Sequence, residues 1–169
     1  MYISKSLIIF RHAKSDWDAD YSSDHKRPLA KRGIKAAKTM GLLLTESGKL
    51  PDLILCSTAT RARQTLELAY KQGNWNSKIE YSDQLYESTA REMVALLQQM
   101  HNSSHSIMVV GHEPTWSNLI SLLIGGGNIR FPTAAMARID FYLNDWTGIS
   151  AGNGHLRWLL QPRFFKKHR

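Results

Sequence analysis

The chain has 169 residues, a length that suits one domain with a substantial buried core. It carries 22 Lys and Arg against 14 Asp and Glu, and this formal charge of +8 favours anionic partners without choosing among phosphates, nucleic acids and acidic proteins. The single cysteine excludes an internal disulfide framework, and no apolar stretch has the length of a membrane span or signal-peptide core, so we expect one cytoplasmic domain over residues 1–169.

The first half of the chain alternates short apolar runs with longer segments of helical period. Residues 7–10 and 53–55 are continuous and apolar, as in parallel strands buried on both faces, and residues 79–81 are a weaker strand candidate. Apolar side chains recur at three- and four-residue steps over 29–44 and 62–70, which predicts two amphipathic helices.

The second half continues the alternation. Thr89-Ala90-Arg91-Glu92 has the form of a capping box before a third helix, residues 107–110 are a further buried strand, and Pro114 suits the first turn of a fourth helix. Residues 137–143 and 155–160 predict two closing strands around a polar turn. The whole pattern predicts an α/β fold, a three-layer α/β/α sandwich with a mixed, mostly parallel sheet.

Polar residues follow three of the predicted strands. Arg11 and His12 come directly after the first strand, Ser57 and then Arg61 follow the second, and His112 follows the strand at 107–110. Ligands of open α/β sheets bind beyond the carboxyl ends of the strands, which share one edge in a parallel sheet. We therefore expect these side chains to form one pocket.

Three ordered motifs resemble the histidine phosphatase superfamily, also called phosphoglycerate mutase-like. Phe10-Arg11-His12-Ala13 resembles its Arg-His-Gly signature with alanine in place of glycine, residues 57–65 resemble its serine-x-x-x-Arg-Ala-x-x-Thr element, and residues 110–113 resemble its glycine-histidine element. Arg-His alone is a common dipeptide, but three motifs in order after strands are specific. The resemblance implies a phosphoglycerate mutase-like fold and phosphatase activity.

The resemblance also implies roles for the pocket residues. His12 is the expected nucleophile, since a neutral imidazole nitrogen can attack phosphorus and form a phosphohistidine intermediate. Arg11 and Arg61 supply forked donors for the phosphoryl oxygens, and the motif alignment favours Arg61 over Arg63. His112 is expected to be a second, protonated histidine that donates to a phosphoryl oxygen.

Four further residues are weaker candidates. Glu87 lies where many family members place the acid that protonates the leaving oxygen, a role that matters less for a nitrogen leaving group. Lys14 and Arg27 could each contact the phosphate or a substrate carboxylate, or be ordinary solvated loop charges. Ser57 is a candidate phosphate contact, although a serine before a helical run favours an N-cap.

Other features have simpler interpretations. The remaining histidines lack ligand spacing, and two arginines in the site would repel a divalent cation, so we predict no metal and no cofactor. Trp116 is expected to line the pocket because it follows His112 closely, and the other tryptophans to pack in the core or at its rim. The basic run 166–169 is interpreted as a solvated tail.

Residues 11–17, 27–29 and 131–134 resemble the small, SixA-like branch of phosphohistidine phosphatases, and the short chain leaves little sequence for a lid. We therefore expect an open site that hydrolyses a phosphoramidate or phosphomonoester through His12, with phosphohistidine on a signalling protein as the leading substrate. The alternatives are a sugar phosphate or nucleotide phosphatase and a non-catalytic phosphate- or nucleic-acid-binding module. The expected partner is a phosphorylated protein or small phosphorylated metabolite, without nucleic acid or membrane, and no pattern indicates the oligomeric state.

Overall fold

A computed structural model describes residues 4–165 of the chain, so the basic run 166–169 lies outside the described residues. The strands are β1 (Ser4–Arg11), β2 (Leu53–Ser57), β3 (Lys78–Ser82), β4 (Ser106–Gly111), β5 (Met136–Tyr142) and β6 (His155–Leu160). The helices are α1 (Lys31–Glu46), α2 (Thr60–Gly73), α3 (Ala90–Gln98) and α4 (Thr115–Ile124), and four short 3₁₀ segments connect some of these elements.

One sheet contains all six strands, in the order β3-β2-β4-β1-β5-β6. The first four of these strands are parallel to one another. Strand β5 pairs antiparallel with β1, and β6 pairs antiparallel with β5. Strand β1 pairs with β4, so the connection from β1 to β2 passes over β4 and opens a crevice at the carboxyl ends of the central strands. That crevice is where a ligand site is expected in this type of sheet.

The buried strands send alternate side chains to two cores, because successive residues of a strand point to opposite faces. Ile8 and Phe10 pack with helices α1 and α2, while Leu7 and Ile9 pack with α3 and α4. The predicted three-layer α/β/α sandwich with a mostly parallel sheet is thereby confirmed. None of the helices between residues 4 and 165 combines the length and hydropathy that a membrane crossing requires.

Of the two predicted helix starts, one is confirmed and one is shifted by a residue. Thr89 and Glu92 form the capping box: the Thr89 hydroxyl accepts from the Glu92 N–H at 3.2 Å, and the Glu92 carboxylate accepts from the Thr89 N–H at 2.7 Å. Gly125 ends α4 in the left-handed conformation with φ of 91°. Pro114 is the N-cap of α4 and not, as predicted, a residue of its first turn.

The prediction that Trp116 lines the pocket was wrong. Its side chain is fully buried, and its indole N–H donates to the carbonyl of Phe10 at 3.1 Å. The ring lies so close to Gly111 that a Cβ there would be 2.7 Å from it. Trp116 therefore supports the strand end that carries His112 from below, inside the core.

Candidate active site

Backbone hydrogen bonds hold Arg11 and His12 at the end of β1. The His12 N–H donates to the carbonyl of Gly111 at 2.9 Å, which ties β1 to the end of β4. On the other side, the Arg11 N–H donates to Ala135 at 3.0 Å, and the His12 carbonyl accepts from Ala134 at 3.1 Å. The segment before β5, which includes the sequence motif at 131–134, thus clamps the Arg-His pair.

The tautomer of His12 follows from its hydrogen bond. Its Nδ1 lies 2.7 Å from the carbonyl oxygen of Ala13, and since a carbonyl only accepts, Nδ1 carries the proton and Nε2 keeps its lone pair. Burial lowers the pKa of His12 to about 3; the bond to Ala13 opposes this, and the charges of His112, Arg61 and Arg11 add to it. His12 is therefore neutral at physiological pH with a free Nε2.

Ala13 replaces the glycine of the resembled motif, and the structure shows why alanine fits. Ala13 is not among the residues with positive φ in the described chain, so a Cβ introduces no backbone strain. Its N–H donates to the hydroxyl of Thr65 at 2.9 Å, and the same hydroxyl donates to the carbonyl of Arg61 at 2.6 Å. Thr65 thus links the β1 turn to the first turn of α2.

His112 faces His12, with the ring centroids 5.2 Å apart and the planes tilted by 52°. Its Nε2 lies 2.8 Å from the Ser57 hydroxyl. The preferred N-cap interpretation of Ser57 was therefore wrong: helix α2 begins after Ala59 without a side-chain cap, and Ser57 ends β2 as the partner of His112.

The protonation expected of His112 does not hold for the ligand-free protein. Burial, followed by the charge of Arg61, lowers the pKa of His112 to about 3, although the charge of Asp24 opposes the shift. The ring is therefore neutral at physiological pH until an anion enters. If Ser57 donates to Nε2, the proton of the neutral ring is on Nδ1, which is buried and has no hydrogen-bond partner among residues 4–165.

Arg61 is fixed by Asp24, a residue that sequence reasoning missed. Its Nη1 donates to the Asp24 carbonyl at 2.8 Å, and its Nη2 lies 3.1 Å from the Asp24 carboxylate. The same carboxylate accepts from Arg27 at 2.9 Å and from the Tyr86 hydroxyl at 2.9 Å. Partial burial acts to raise the pKa of Asp24, but the bonds from Arg27 and Tyr86 and the charge of Arg61 outweigh it and lower the pKa to about 2.

The neighbouring arginines have different places. Arg63 is exposed, and its Nε atom lies 3.9 Å from the Glu67 carboxylate. Two cavities lie at the strand ends, and Arg63 lines neither of them. Arg27 is neither a solvated charge nor a free phosphate ligand, because it is buried and bonded to Asp24 and the Ser15 hydroxyl. Among these three arginines, only Arg61 is positioned in the pocket.

Two cavities lie near the carboxyl ends of β1 and β4: His112 lines the first, Arg11 lines the second, and Glu113 lines both. The first, which we call the carboxylate cavity, has a volume of about 410 Å³. The second, the basic groove, has a volume of about 700 Å³. The charged residues and histidine of the carboxylate cavity are Asp24, Arg61, Glu87, His112 and Glu113. The charged residues of the basic groove are Arg11, Lys14, Arg32, Glu113 and Arg130.

The weaker candidates are divided between these cavities. Glu87 is exposed on the rim of the carboxylate cavity, in a left-handed conformation with φ of 57° that is uncommon for a residue with a side chain. Lys14 lines the basic groove beside Arg11 and therefore lies apart from Glu87. Sequence reasoning did not identify Tyr86, whose ring packs edge-on against His112 with the ring centroids 5.4 Å apart.

Several buried donors of the pocket have no hydrogen-bond partner among residues 4–165. The Nε atoms of Arg11 and Arg61 and the Nδ1 atom of His112 make no hydrogen bond within the described part of the chain. Buried polar atoms are rarely left unpaired, and donors of this kind suit the oxygens of a phosphoryl group. Within residues 4–165 there is no group of three or more His, Cys, Asp or Glu side chains arranged to hold a metal ion.

Comparison with known proteins agrees with this geometry. Residues 7–93 match the family model of the histidine phosphatase superfamily, branch 1. An uncharacterized chloroplastic protein of Arabidopsis thaliana is 33% identical over 168 residues, covering 94% of this chain and 77% of the relative. The phosphohistidine phosphatase SixA of Escherichia coli is 30% identical over 159 residues, covering 92% and 93% of the two chains.

Solved structures give the same result. The protein histidine phosphatase SixA in complex with tungstate superposes with a TM-score of 0.82 at 29% identity, covering 95% of this chain and 99% of the other. The SixA-like resemblance and the phosphoglycerate mutase-like fold are thereby confirmed, and the non-catalytic alternative is set aside. The family model matches over half of this chain, and relatives that are 33% and 30% identical cover 94% and 92% of it. This chain therefore belongs to the histidine phosphatase superfamily and is a histidine-dependent phosphatase of its SixA-like branch.

Proposed function

We propose that the protein hydrolyses phosphohistidine on a protein substrate through a covalent intermediate on His12. The observation that carries the proposal is the bond from His12 Nδ1 to Ala13, which leaves a neutral, unprotonated Nε2 beside Arg11 and Arg61. That nitrogen is a competent nucleophile, and the two guanidinium groups compensate the charge of the phosphoryl oxygens.

The reaction has two balanced steps. In the first, the lone pair of His12 Nε2 forms a bond to phosphorus while the bond from phosphorus to the substrate nitrogen breaks, and that nitrogen takes a proton from solvent. In the second, water attacks the phosphorus, the bond to Nε2 breaks, and inorganic phosphate leaves. His12 is then restored with its proton still on Nδ1, held by Ala13.

His112 and Ser57 act together on the bound phosphoryl group in this proposal. A phosphoryl dianion next to the ring raises the pKa of His112, since an opposite charge favours the imidazolium form. Ser57 then accepts from Nε2, and Nδ1 donates to a phosphoryl oxygen. The neutral ring of the ligand-free protein is therefore the resting form of a donor that charges on binding.

A nitrogen leaving group fits the position of Glu87. Its side chain is exposed at the cavity rim and makes no hydrogen bond to another described residue. An alkoxide leaving group needs a positioned acid, whereas an imidazole is a better leaving group and needs less assistance. The named activity of the E. coli relative, phosphohistidine phosphatase, agrees with this preference.

The phosphoenzyme is the direct test. Rapid acid-free quenching of a reaction with a phosphohistidine peptide should trap a base-stable, acid-labile phosphoryl adduct on the wild type. The adduct and turnover should both disappear in His12→Ala and remain in His101→Ala, which removes an exposed histidine outside both cavities. Full turnover by His12→Ala would contradict the proposal.

A second candidate is a small-molecule phosphatase that acts on a sugar phosphate or nucleotide. The carboxylate cavity favours it, because about 410 Å³ is within the range of small-ligand pockets and Glu87 lies on its rim. Glu87→Gln separates the two candidates: we expect less than about a twofold loss on a phosphohistidine peptide and about a hundredfold loss on a phosphomonoester. Poor turnover of the peptide and efficient, Glu87-dependent turnover of the ester would favour the small molecule.

A further inference from the structure

Apart from Arg11, the residues of the basic groove take no part in the two chemical steps proposed for His12. Four of its charged residues are cations, Arg11, Lys14, Arg32 and Arg130, against the single carboxylate of Glu113. They come from four segments: the end of β1, the loop after it, the first turn of α1 and the loop after α4. A groove of about 700 Å³ with this excess of cations attracts anionic groups.

Most cations of the groove have no carboxylate partner in the part of the chain that the structure describes. Within residues 4–165, Lys14, Arg32 and Arg130 make no ion pair with an Asp or Glu side chain, whereas Arg61 and Arg27 both pair with Asp24. The carboxylate of Glu113 accepts from the Ser117 N–H at 2.7 Å and so serves the start of α4. The groove therefore retains a net positive charge for a partner.

Arg11 belongs both to the groove and to the proposed phosphoryl site. The Nη1 atom of Arg11 donates to the Phe131 carbonyl at 2.9 Å, on the wall of the groove, while Nε is buried without a partner among the described residues. The next residue in the chain is His12. A molecule bound in the groove can therefore contact the residue that directly precedes the proposed nucleophile.

We propose that the basic groove binds an acidic segment of the protein substrate that flanks the phosphorylated residue. This proposal rests on the proposed function and names the class of substrate. A segment with several carboxylates matches cations that are distributed over four parts of the chain, and an extended segment advances about 3.3 Å per residue. Such pairs confer specificity and association rate, with a strong dependence on salt.

Binding can be tested without catalysis. A fluorescein-labelled, unphosphorylated Glu-rich peptide is titrated with the protein at low salt, with a Gln-rich peptide of equal length as the reference. We expect Arg32→Glu and Arg130→Glu each to weaken binding of the acidic peptide by about tenfold. Lys38→Glu is the matched control: it makes the same charge change on the same helix as Arg32→Glu, but Lys38 is exposed and lines neither cavity.

The controls decide the result. Equal losses in Lys38→Glu and Arg130→Glu would overturn the proposal in favour of a general charge effect, as would equal affinity for the Glu-rich and Gln-rich peptides. A loss confined to Arg32→Glu and Arg130→Glu supports the groove. Because the peptide carries no phosphate, this result does not depend on the proposed reaction.

Turnover tests the substrate class. The ratio of kcat/KM for a Glu-flanked over a Gln-flanked phosphohistidine peptide should be about tenfold in the wild type and close to one in Arg130→Glu. If a small bisphosphate competes better than its monophosphate through Arg130, and peptides show no such ratio, the acidic-segment proposal is overturned. Failure to hydrolyse either peptide, with acidic-peptide binding retained, would overturn the proposed function while supporting the groove.

Discussion

In the carboxylate cavity, Arg61 donates two hydrogen bonds to Asp24, which fix it, while in the basic groove Lys14, Arg32 and Arg130 make no ion pair within residues 4–165. The first arrangement fixes a guanidinium before substrate arrives, which lowers the cost of ordering it in the transition state. The second leaves long side chains able to adapt to different partners. Fixed cations therefore suit the transferred phosphoryl group, and free cations suit the variable surroundings of that group.

Replacing the fixed cation should give the largest effect. Arg61→Lys removes the fork that bonds Asp24 while keeping the charge, so kcat/KM should fall about a hundredfold, because a lysine neither keeps that orientation nor contacts two oxygens. Arg63→Lys, on the exposed side of the same helix turn, should change kcat/KM less than about twofold. Steady-state kinetics on one substrate measures kcat/KM for both variants. Similar losses in the two would contradict the role of Arg61 as the fixed cation of the pocket.

Acid should destabilise the ligand-free protein through the two histidines. The pKa values of His12 and His112 are lowered to about 3, below the ordinary value near 6.5, so the unfolded chain takes up protons first as pH falls. The stabilisation is fully present above pH 6.5 and is lost progressively toward pH 3. Lowering the pH from 7 to 5 should therefore reduce the free energy of unfolding by about 2 kcal/mol for each histidine.

Urea unfolding at the two pH values measures this loss. His12→Asn and His112→Asn should each make the stability of the protein less dependent on pH, while His101→Asn, which changes an exposed histidine, should not. An unchanged pH dependence in the first two variants would show that the histidines are already charged in the folded protein.

Removing the charge that fixes Arg61 should have a smaller effect. Asp24→Asn keeps the shape but leaves the nearly buried Arg27 and Arg61 without an anionic partner, and should cost about 1 kcal/mol at pH 7, since the Asp24 carboxylate is half exposed. The pKa of Asp24 is lowered to about 2, so the difference from wild type should vanish as pH falls from 4 to 2. Asp18→Asn, in the same loop, is the control for urea unfolding.

The sequence was most informative where position along the chain determines position in space. Continuous apolar runs identified the central strands, and Arg11, His12 and His112 follow those strands directly, so the parallel sheet brings them to one edge. Asp24 escaped prediction because it lies on a short 3₁₀ segment 37 residues from Arg61, and no periodicity relates the two.

The errors had physical causes of the same kind. Ser57 has the residue type of an N-cap, but it lies at the end of its strand beside His112, and its hydroxyl hydrogen-bonds to the His112 ring. Trp116 is near His112 in sequence, but Gly111 leaves room for the indole inside the core.

The single-domain, cytoplasmic and metal-free interpretations stay predictions, and one relative is described as chloroplastic.

The hydroxyl of Thr65 has a mechanical consequence. It accepts from the Ala13 N–H and donates to the Arg61 carbonyl. One oxygen atom therefore joins the turn after His12 to the helix that carries Arg61. The hydroxyl therefore sets the Ala13 backbone relative to the Arg61 backbone, while Asp24 holds the guanidinium itself.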